Sequence, residues 1–320
     1  MQIPTSERGE NTMLNEPLDI LNQHPVRNTK EQKEAFRRDV QQYIQELGYS
    51  YTLETEKNKA ENLIIGDPVQ AKYLISAHYD TPATLGIPNV CTPCNAFLAG
   101  LRYLAAVLFG ASCSGGAFLL IKAGMLIPGI ALIILLLCDL WLMKIAPANV
   151  SNANDNTSGV VTLLEIARSL PEVHRNKVCF LLFDLEEKGL KGSAAYRKAH
   201  KAVTEKQILL NLDCVGDGDH ILLMPTKKLR KDAAFIRRLK YLGGWFGKKQ
   251  ILTIDKGFCV YSSDHKNFPL AVGIGAFHKR KGLGFVLNKI HTKHDINLEI
   301  TNVNLLRAAL TTLISGDAVN

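Results

Sequence analysis

Two long apolar stretches in the middle of the chain restrict its folding more than any other feature. Tyr103–Ile121 carries no charged residue. After Lys122 and the Pro128-Gly129 break, a second apolar run reaches Met143 with Asp139 as its only charge. As helices, such runs are just long enough for a hydrocarbon core of roughly 30 Å. Gly110, Ser112, Ser114, Gly115 and Gly116 give the first helix a small-residue face suited to close helix packing in a membrane. Residues 97–146 therefore read as an inserted transmembrane hairpin in contact with the lipid bilayer. The alternative, a buried helical pair in a soluble protein, needs a cover that the rest of the chain is too small to supply.

Outside the hairpin the chain looks like a soluble domain. Of 320 residues, 47% are hydrophobic, enough for a large core and contrary to disorder. The net charge of +8 is moderate. Its basic stretches, Lys227–Lys231, Arg237–Lys240 and His278–Lys281, read as solvated faces, with anionic head groups as a further partner in a tethered protein. Nucleic acid is not expected, because no binding motif accompanies the charge. Met1–Lys30 is polar and lacks the apolar core of a secretory signal. Cysteines in apolar runs, such as Cys113, Cys138 and Cys179, fit reduced thiols in a cytoplasmic setting. The lone pair spacing Cys91-Thr92-Pro93-Cys94 reads as incidental. The sequence leaves the oligomeric state open.

Strand and helix signals alternate along the remainder. Thr29 and Gln32 form a capping box ahead of a helix through Phe36, Val40, Tyr43 and Leu47 to Gly48. Strands are expected at 50–53, 62–65, 73–77, 178–183, 208–212, 221–224 and 271–277. Helices are expected at 158–170, 192–200, 229–242 and 304–314. The alternation predicts an α/β fold whose central sheet is mixed, largely parallel, and covered by helices on both faces. The expected division is a polar segment at 1–28, a catalytic domain at 29–96 and 147–320, and the hairpin at 97–146.

Metal-type side chains recur at the expected strand ends: His78-Tyr79-Asp80, Asn154-Asp155-Asn156, Glu186-Glu187 and Asp213. A further group, His291-Thr292-Lys293-His294-Asp295, lies in a loop. All are expected at one edge of the sheet, where gathered carboxylates repel one another unless a cation neutralises them. Two histidines with three carboxylates suit zinc with a position open to water. A single catalytic zinc takes about three protein ligands, so five point to two metals sharing a carboxylate. His291 and His294 compete for the second histidine. No G-x-S-x-G, P-loop, Rossmann or HExxH pattern occurs.

Six blocks stand in a telling order. They are His78-x-Asp80, Asn154-Asp155-Asn156-Thr157-Ser158-Gly159-Val160, Phe183-Asp184-Leu185-Glu186-Glu187-x-Gly189-Leu190-x-Gly192-Ser193, Asn211-Leu212-Asp213-x-Val215-Gly216, Ser263-Asp264-His265 and His291-Thr292-x-x-Asp295. The series resembles the signature of the family-28 metallopeptidases, from roughly Asn62 to Thr312 apart from the hairpin. That family holds two-zinc aminopeptidases, and also carboxypeptidases, single-zinc glutaminyl cyclases and non-catalytic receptors.

The resemblance implies a zinc exopeptidase fold with Asp155 bridging two Zn2+ ions. Glu187 and His291, preferred over His294, bind one ion; His78 and Asp213 bind the other. Glu186 is then the general base acting on a metal-bridging water, and Asp80 holds the His78 tautomer. It also implies a cis peptide at Asp155-Asn156 and a pocket loop at Ser263-Asp264-His265. The expected activity is that of a membrane-tethered exopeptidase, an aminopeptidase, acting on peptides. The departure from the family is the long gap between Asp80 and Asp155. The ligands converge only if the insertion leaves and re-enters the domain at neighbouring points. Both hairpin ends then share one compartment. Arg102 and Lys144, against Lys122 in the turn, place the catalytic domain on the cytoplasmic face.

Overall fold

Among the described residues, ten strands form one sheet: β1 Tyr51–Thr55, β2 Glu61–Ile65, β3 Tyr73–His78, β4 Val178–Phe183, β5 Ile208–Leu212, β6 His220–Pro225, β7 Gly244–Phe246, β8 Lys249–Thr253, β9 Ala271–Arg280 and β10 Gly284–Val286. The helices are α1 Asn15–Gln23, α2 Lys30–Glu46, α3 Ala96–Lys122, α4 Leu126–Ile145, α5 Gly159–Ser169, α6 Glu172–Arg175, α7 Lys191–Ala199, α8 Lys201–Thr204, α9 Ala233–Tyr241 and α10 Ile300–Ser315. This computed structural model describes residues 15–84 and 89–316, without the side chains of residues 15, 16, 106, 136 and 138–145. Residues 1–14 of the polar N-terminal segment, and the side chains of Asp139 and Lys144, thus lie outside the described residues.

The strand order is β1-β2-β4-β3-β5-β9-β6-β8-β7, with β10 paired to β9. The centre, β4-β3-β5-β9, is parallel, whereas β1, β2 and β6 join it antiparallel. The sheet is thus mixed, as expected, with parallel pairing in the middle and again between β6 and β8. β3, β4 and β5 are buried on both faces, which their continuous apolar runs require. Alternate residues go to opposite sides. Tyr73, Ile75, Val178, Phe180 and Leu182 pack with α2, α5 and α10, while Leu74, Cys179, Leu181 and Phe183 pack beside Tyr196 of α7.

Local signals account for most element ends. Thr29 caps α2 and Gln32 completes the box, so the predicted start holds. One expectation fails at 229–242. Asp232 accepts the Phe235 amide at 3.0 Å and starts α9 afresh after a short 3-10 turn at Leu229–Lys231. The N-terminal stretch from Asn15 does not stand apart. Leu21 joins the core, and fully buried Arg27 donates to the carbonyls of Tyr79 at 2.6 Å and His24 at 2.8 Å.

The insertion leaves and re-enters at adjacent points. Thr84 donates its amide to Pro147 at 2.8 Å and Asn149 donates to Pro82 at 2.7 Å, beside an Ala83–Ala148 bridge. The two helices it carries pack on each other through only part of the predicted face, at Gly116, where a Cβ would meet Leu132 of α4 at 3.3 Å. Cys113 and Ala117 are buried, and a Cβ on Gly129 of α4 would lie 2.9 Å from the Ala117 carbonyl. Gly110 and Gly115 have open space where a Cβ would stand, and Ser114 turns back to its own helix. The contact follows the helical spacing of Cys113, Gly116 and Ala117, a closer match to one face than a run of small residues gives. Among the described residues, α3 is the one helix long and apolar enough to cross a membrane. The described apolar part of α4 is Leu126–Leu135.

Candidate metal centre

Parallel strands β4, β3 and β5 end side by side, and a crevice opens beyond their carboxyl ends. His78 is the last residue of β3, Glu186 and Glu187 follow β4, and Asp213 follows β5. Asp155 comes from the turn ahead of α5, and His291 from the loop ahead of α10. Their convergence rests on close backbone approach. A Cβ on Gly159 would stand 2.6 Å from the Leu212 carbonyl, so only glycine lets α5 start against the end of β5.

The side chains meet around Asp155. Its Oδ1 lies 3.3 Å from His78 Nε2 and its Oδ2 lies 3.1 Å from His291 Nε2. Asp213 Oδ1 is 3.9 Å from His78 Nε2, and Glu187 Oε2 is 3.6 Å from His291 Nε2. Ligand atoms of His78, Asp155 and Asp213 all lie within 4.8 Å of one another, as do those of Asp155, Glu187 and His291. Glu186 stands within the same reach of His78 and Glu187, so its carboxylate borders both groups. His294 is exposed, leaving His291 as the histidine of that loop that enters the cluster.

Each side chain is braced. Asp80 is buried beside His78, with 3.5 Å between its Oδ1 and His78 Nδ1. Its two oxygens also accept the amides of Glu186 at 3.1 Å and Glu187 at 3.2 Å, so one carboxylate orients three site residues. Asp295 does the same for the Asp155 turn, accepting the amides of Asn154 at 2.9 Å and Asp155 at 3.0 Å. Asn156 Oδ1 accepts from Gly159 and Cys214, tying the Asp155 turn to the end of β5. The Asp155-Asn156 peptide is cis. Leu185, Cys214 and His291 have φ of 54°, 55° and 60°, left-handed values that non-glycine residues rarely adopt and that cluster at functional sites.

The electrostatics are those of a cation site. Burial pushes Glu186 and Glu187 well above the usual carboxylate range, with repulsion from Glu187 adding to it at Glu186 and repulsion from Asp155 at Glu187. Burial opposes charge on Asp155 too, yet hydrogen bonds from His291 and His78 outweigh it and hold its carboxyl low. Burial also works against charge on His78, but Glu186, Asp155, Asp213 and Asp80 raise its proton affinity well above normal. Five carboxylates around two imidazoles leave surplus negative charge in a low-dielectric crevice, and oxygen and imidazole donors without a thiolate suit zinc. The residues therefore fit two divalent ions sharing Asp155.

Asp155, Glu186, Glu187, Asp213 and His291 line a cavity of about 200 Å³. Tyr261, Ser262 and Ile290 line it as well, and so do Asn89, Cys91 and Arg102 from the foot of the insertion. A profile of Peptidase family M28 matches residues 142–313, more than half the chain. The chain belongs to peptidase family M28. The M28 profile covers Asp155, Glu186, Glu187, Asp213 and His291 and begins after His78 and Asp80. Over 67 residues the chain is 42% identical to aminopeptidase YwaD of Bacillus subtilis, a stretch that is 20% of this chain and 15% of that protein. Its fold is similar to that of Porphyromonas gingivalis glutaminyl cyclase, with a TM-score of 0.58 at 15% identity over 97% of this chain and 98% of the other. LapB from Legionella pneumophila gives 0.57 at 14% identity, over 98% of this chain and 74% of that one. A Zn-dependent exopeptidase from Parabacteroides distasonis gives 0.55 at 16%, over 98% and 99%. At such identities the likeness speaks to fold.

The sequence had no role for Asp295, although a carboxylate four residues after His291 was a signal for one. It had none for Tyr261 or Asn89 either, which reach the cavity through tertiary packing alone. Asp264 and His265 of the predicted pocket loop are buried. Burial pushes Asp264 up to about 7, and nearby Ser193 eases this without closing a hydrogen bond to either oxygen.

Proposed function

We propose that this chain is a membrane-tethered, zinc-dependent exopeptidase that removes residues from the N-terminus of peptides. The observation that carries the reading is Asp155, whose two oxygens face two different histidines at 3.3 and 3.1 Å. His78 and Asp213 complete one three-ligand set around it, Glu187 and His291 the other. Bound there, zinc supplies an acidified water and a Lewis acid for the carbonyl oxygen.

The chain's own residues do the rest. Glu186 lines the cavity beside both sets, and its raised proton affinity suits a group that takes a proton and returns it to the departing amine. Asp80 is the positioning residue, fixing the His78 ring and the backbone that presents both glutamates. A cavity of about 200 Å³ suits one terminal residue rather than an extended peptide, and the Glu186 and Glu187 carboxylates on its wall can pair with a terminal ammonium group.

Tethering is the second part of the proposal. The domain at 29–96 and 147–320 carries the site, behind the segment at 1–28, while residues 97–146 enter the bilayer. Phe97, Tyr103, Leu108, Phe118, Leu119 and Ile127 are among many large apolar side chains left exposed on α3 and α4. That surface exceeds the few hundred Å² that soluble monomers tolerate, and lipid would cover it. Arg102 lines the cavity, so the lipid-facing part of α3 starts next to the site, on the cytoplasmic side in this reading.

Metal analysis of purified protein, with hydrolysis of aminoacyl and N-blocked peptides, tests the activity. About two zinc ions per chain and cleavage confined to free N-termini are expected. One zinc with cyclised N-terminal glutamine as product would replace hydrolysis by acyl transfer, and release from the other end would make a carboxypeptidase. Complete extraction by alkaline carbonate would remove the tether. Labelling of a cysteine introduced at position 144 from outside intact cells would invert the orientation.

A further inference from the structure

In sequence Cys94 belongs with Cys91, but the fold gives it a different neighbour. Cys94 Sγ lies 3.6 Å from Cys259 Sγ, a residue 165 positions away. The backbone holds the two segments together, since Val260 donates its amide to the Pro93 carbonyl at 2.8 Å. On the other side the same strap pairs with the loop ahead of His291. Cys91 donates to Leu287 at 2.7 Å and Leu287 donates back at 2.9 Å. Both Cys94 and Cys259 are half-buried, hence within reach of small oxidants, and neither belongs to the candidate metal groups.

We propose that Cys94 and Cys259 are a redox-active dithiol whose disulfide ties the foot of α3 to the cavity loop 257–262. The electrons go to a disulfide oxidant of the glutathione type. The Cys94 thiolate attacks one of its sulfurs and releases one glutathione thiolate. Cys259 then attacks the Cys94 sulfur, forming the protein disulfide and releasing the second glutathione. The protein gives up two electrons and two protons, and the oxidant becomes two thiols. Cys94 is the natural attacker because the adjacent Cys259 thiol lowers its proton affinity.

Forming the bond draws the sulfurs from 3.6 Å to about 2.05 Å. The loop that moves carries Tyr261 and Ser262, which line the cavity, and Tyr261 donates its hydroxyl to the Asp213 carbonyl at 3.1 Å. Oxidation therefore pulls one wall towards the strap that bears Cys91 on the other, and narrows the opening. This consequence for turnover rests on the peptidase reading; the bond itself does not.

The full-length protein in detergent, equilibrated with graded ratios of reduced to oxidised glutathione, then thiol-blocked and digested without reductant, decides the matter. The expected product is a Cys94–Cys259 cross-linked peptide that accumulates at oxidising ratios and disappears with reductant. Cys94→Ser and Cys259→Ser should abolish it, while Cys113→Ser should leave it. A Cys91–Cys94 cross-link as the main product, or stable glutathione on Cys94 beside a free Cys259, would overturn the assignment. In the same samples kcat/KM should fall several-fold on oxidation and recover with reductant, and Cys259→Ser should be insensitive. A full cross-link with unchanged kcat/KM would overturn the narrowing. A reduced protein without turnover would count against the peptidase reading instead, while the cross-link map still decides the dithiol.

Discussion

The candidate metal centre and the hairpin sit in one chain but are specified in opposite ways. At the centre each functional side chain is over-determined. Asp80 holds three residues, Asp295 holds the Asp155 turn, and three backbone positions are kept at left-handed φ by their surroundings. In the hairpin a few small residues set the helix contact, and most of the remaining surface faces outward. Changes at the centre should therefore alter chemistry through single atoms. Changes in the hairpin should alter stability through shape and leave the chemistry alone.

The largest effect is expected where this contrast is sharpest. Glu186→Gln should keep its zinc yet lose turnover by about a hundredfold or more, because an amide cannot accept the proton. Asp155→Ala should lose both ions, since it removes the ligand common to the two sets. Metal content and kcat measured on the same preparations separate the two. A Gln variant within a few-fold of wild type moves the base elsewhere, and an Ala variant with full zinc ends the bridging assignment.

Next in size is a pH effect in the zinc-free protein. Asp264, pushed up to about 7, holds a proton in the folded state that the unfolded chain loses near pH 4. Folded pKa above unfolded pKa means that the contribution of Asp264 to stability falls as pH rises from about 4 to 7 and is flat outside that window. The loss is at most about 4 kcal/mol. Asp264→Asn should melt higher than wild type in chelator, with a gap that opens from about pH 4, is widest above about pH 7 and stays level beyond it. A gap independent of pH would mean that Asp264 does not titrate there.

Smaller again is the role of Asp295. Asn in its place keeps one acceptor where two amides need one each, so the Asp155 turn loosens without losing a ligand. Zinc affinity should fall about 10- to 100-fold, the usual cost of disturbing a group behind the ligands. Competition with a chelator measures it, and an unchanged affinity would make Asp295 purely structural.

What the sequence made legible follows the range of each signal. The capping box at Thr29 and Gln32, and the bounds of β4 and β5, depend on neighbours a few residues apart, and all three agree with the fold. The residues that the fold gathers into the candidate cluster were legible because strand ends announce themselves as apolar runs stopped by His, Glu or Asp. β7, β8 and β10 gave no such signal. They are short, exposed or begin on Lys249, and they exist because β10 pairs with β9, β8 with β6 and β7 with β8 at the sheet margin. Asp232 inside an otherwise helical pattern was a stop signal overridden by the amphipathic period around it. The Cys94–Cys259 approach and the face on which α3 meets α4 were beyond reach, since both depend on contacts between distant parts of the chain.

The smallest expected effect tests that last face, and here two substitutions of the same kind should differ in sign. Ala exceeds Gly in helix propensity by about 1 kcal/mol, so Gly→Ala helps wherever the methyl group fits. At Gly115 a Cβ meets nothing within 4 Å, so only the gain remains. At Gly129 a Cβ would lie 2.5 Å from Ile121 Cγ1 and 2.9 Å from the Ala117 carbonyl. Ile121 can turn aside, but the carbonyl belongs to the backbone, so the helices must separate at a cost of about 1–3 kcal/mol. Gly115→Ala should thus stabilise the hairpin slightly and Gly129→Ala should destabilise it. The chain has two tryptophans, so a Trp245→Phe background leaves Trp141 of α4 as the sole fluorescent reporter of hairpin unfolding in detergent. Zinc content and kcat should stay at the wild-type level in both variants. Equal midpoints for the two would place the helix contact on a different face, and a loss of zinc in Gly129→Ala would show that the hairpin and the metal centre are mechanically one unit.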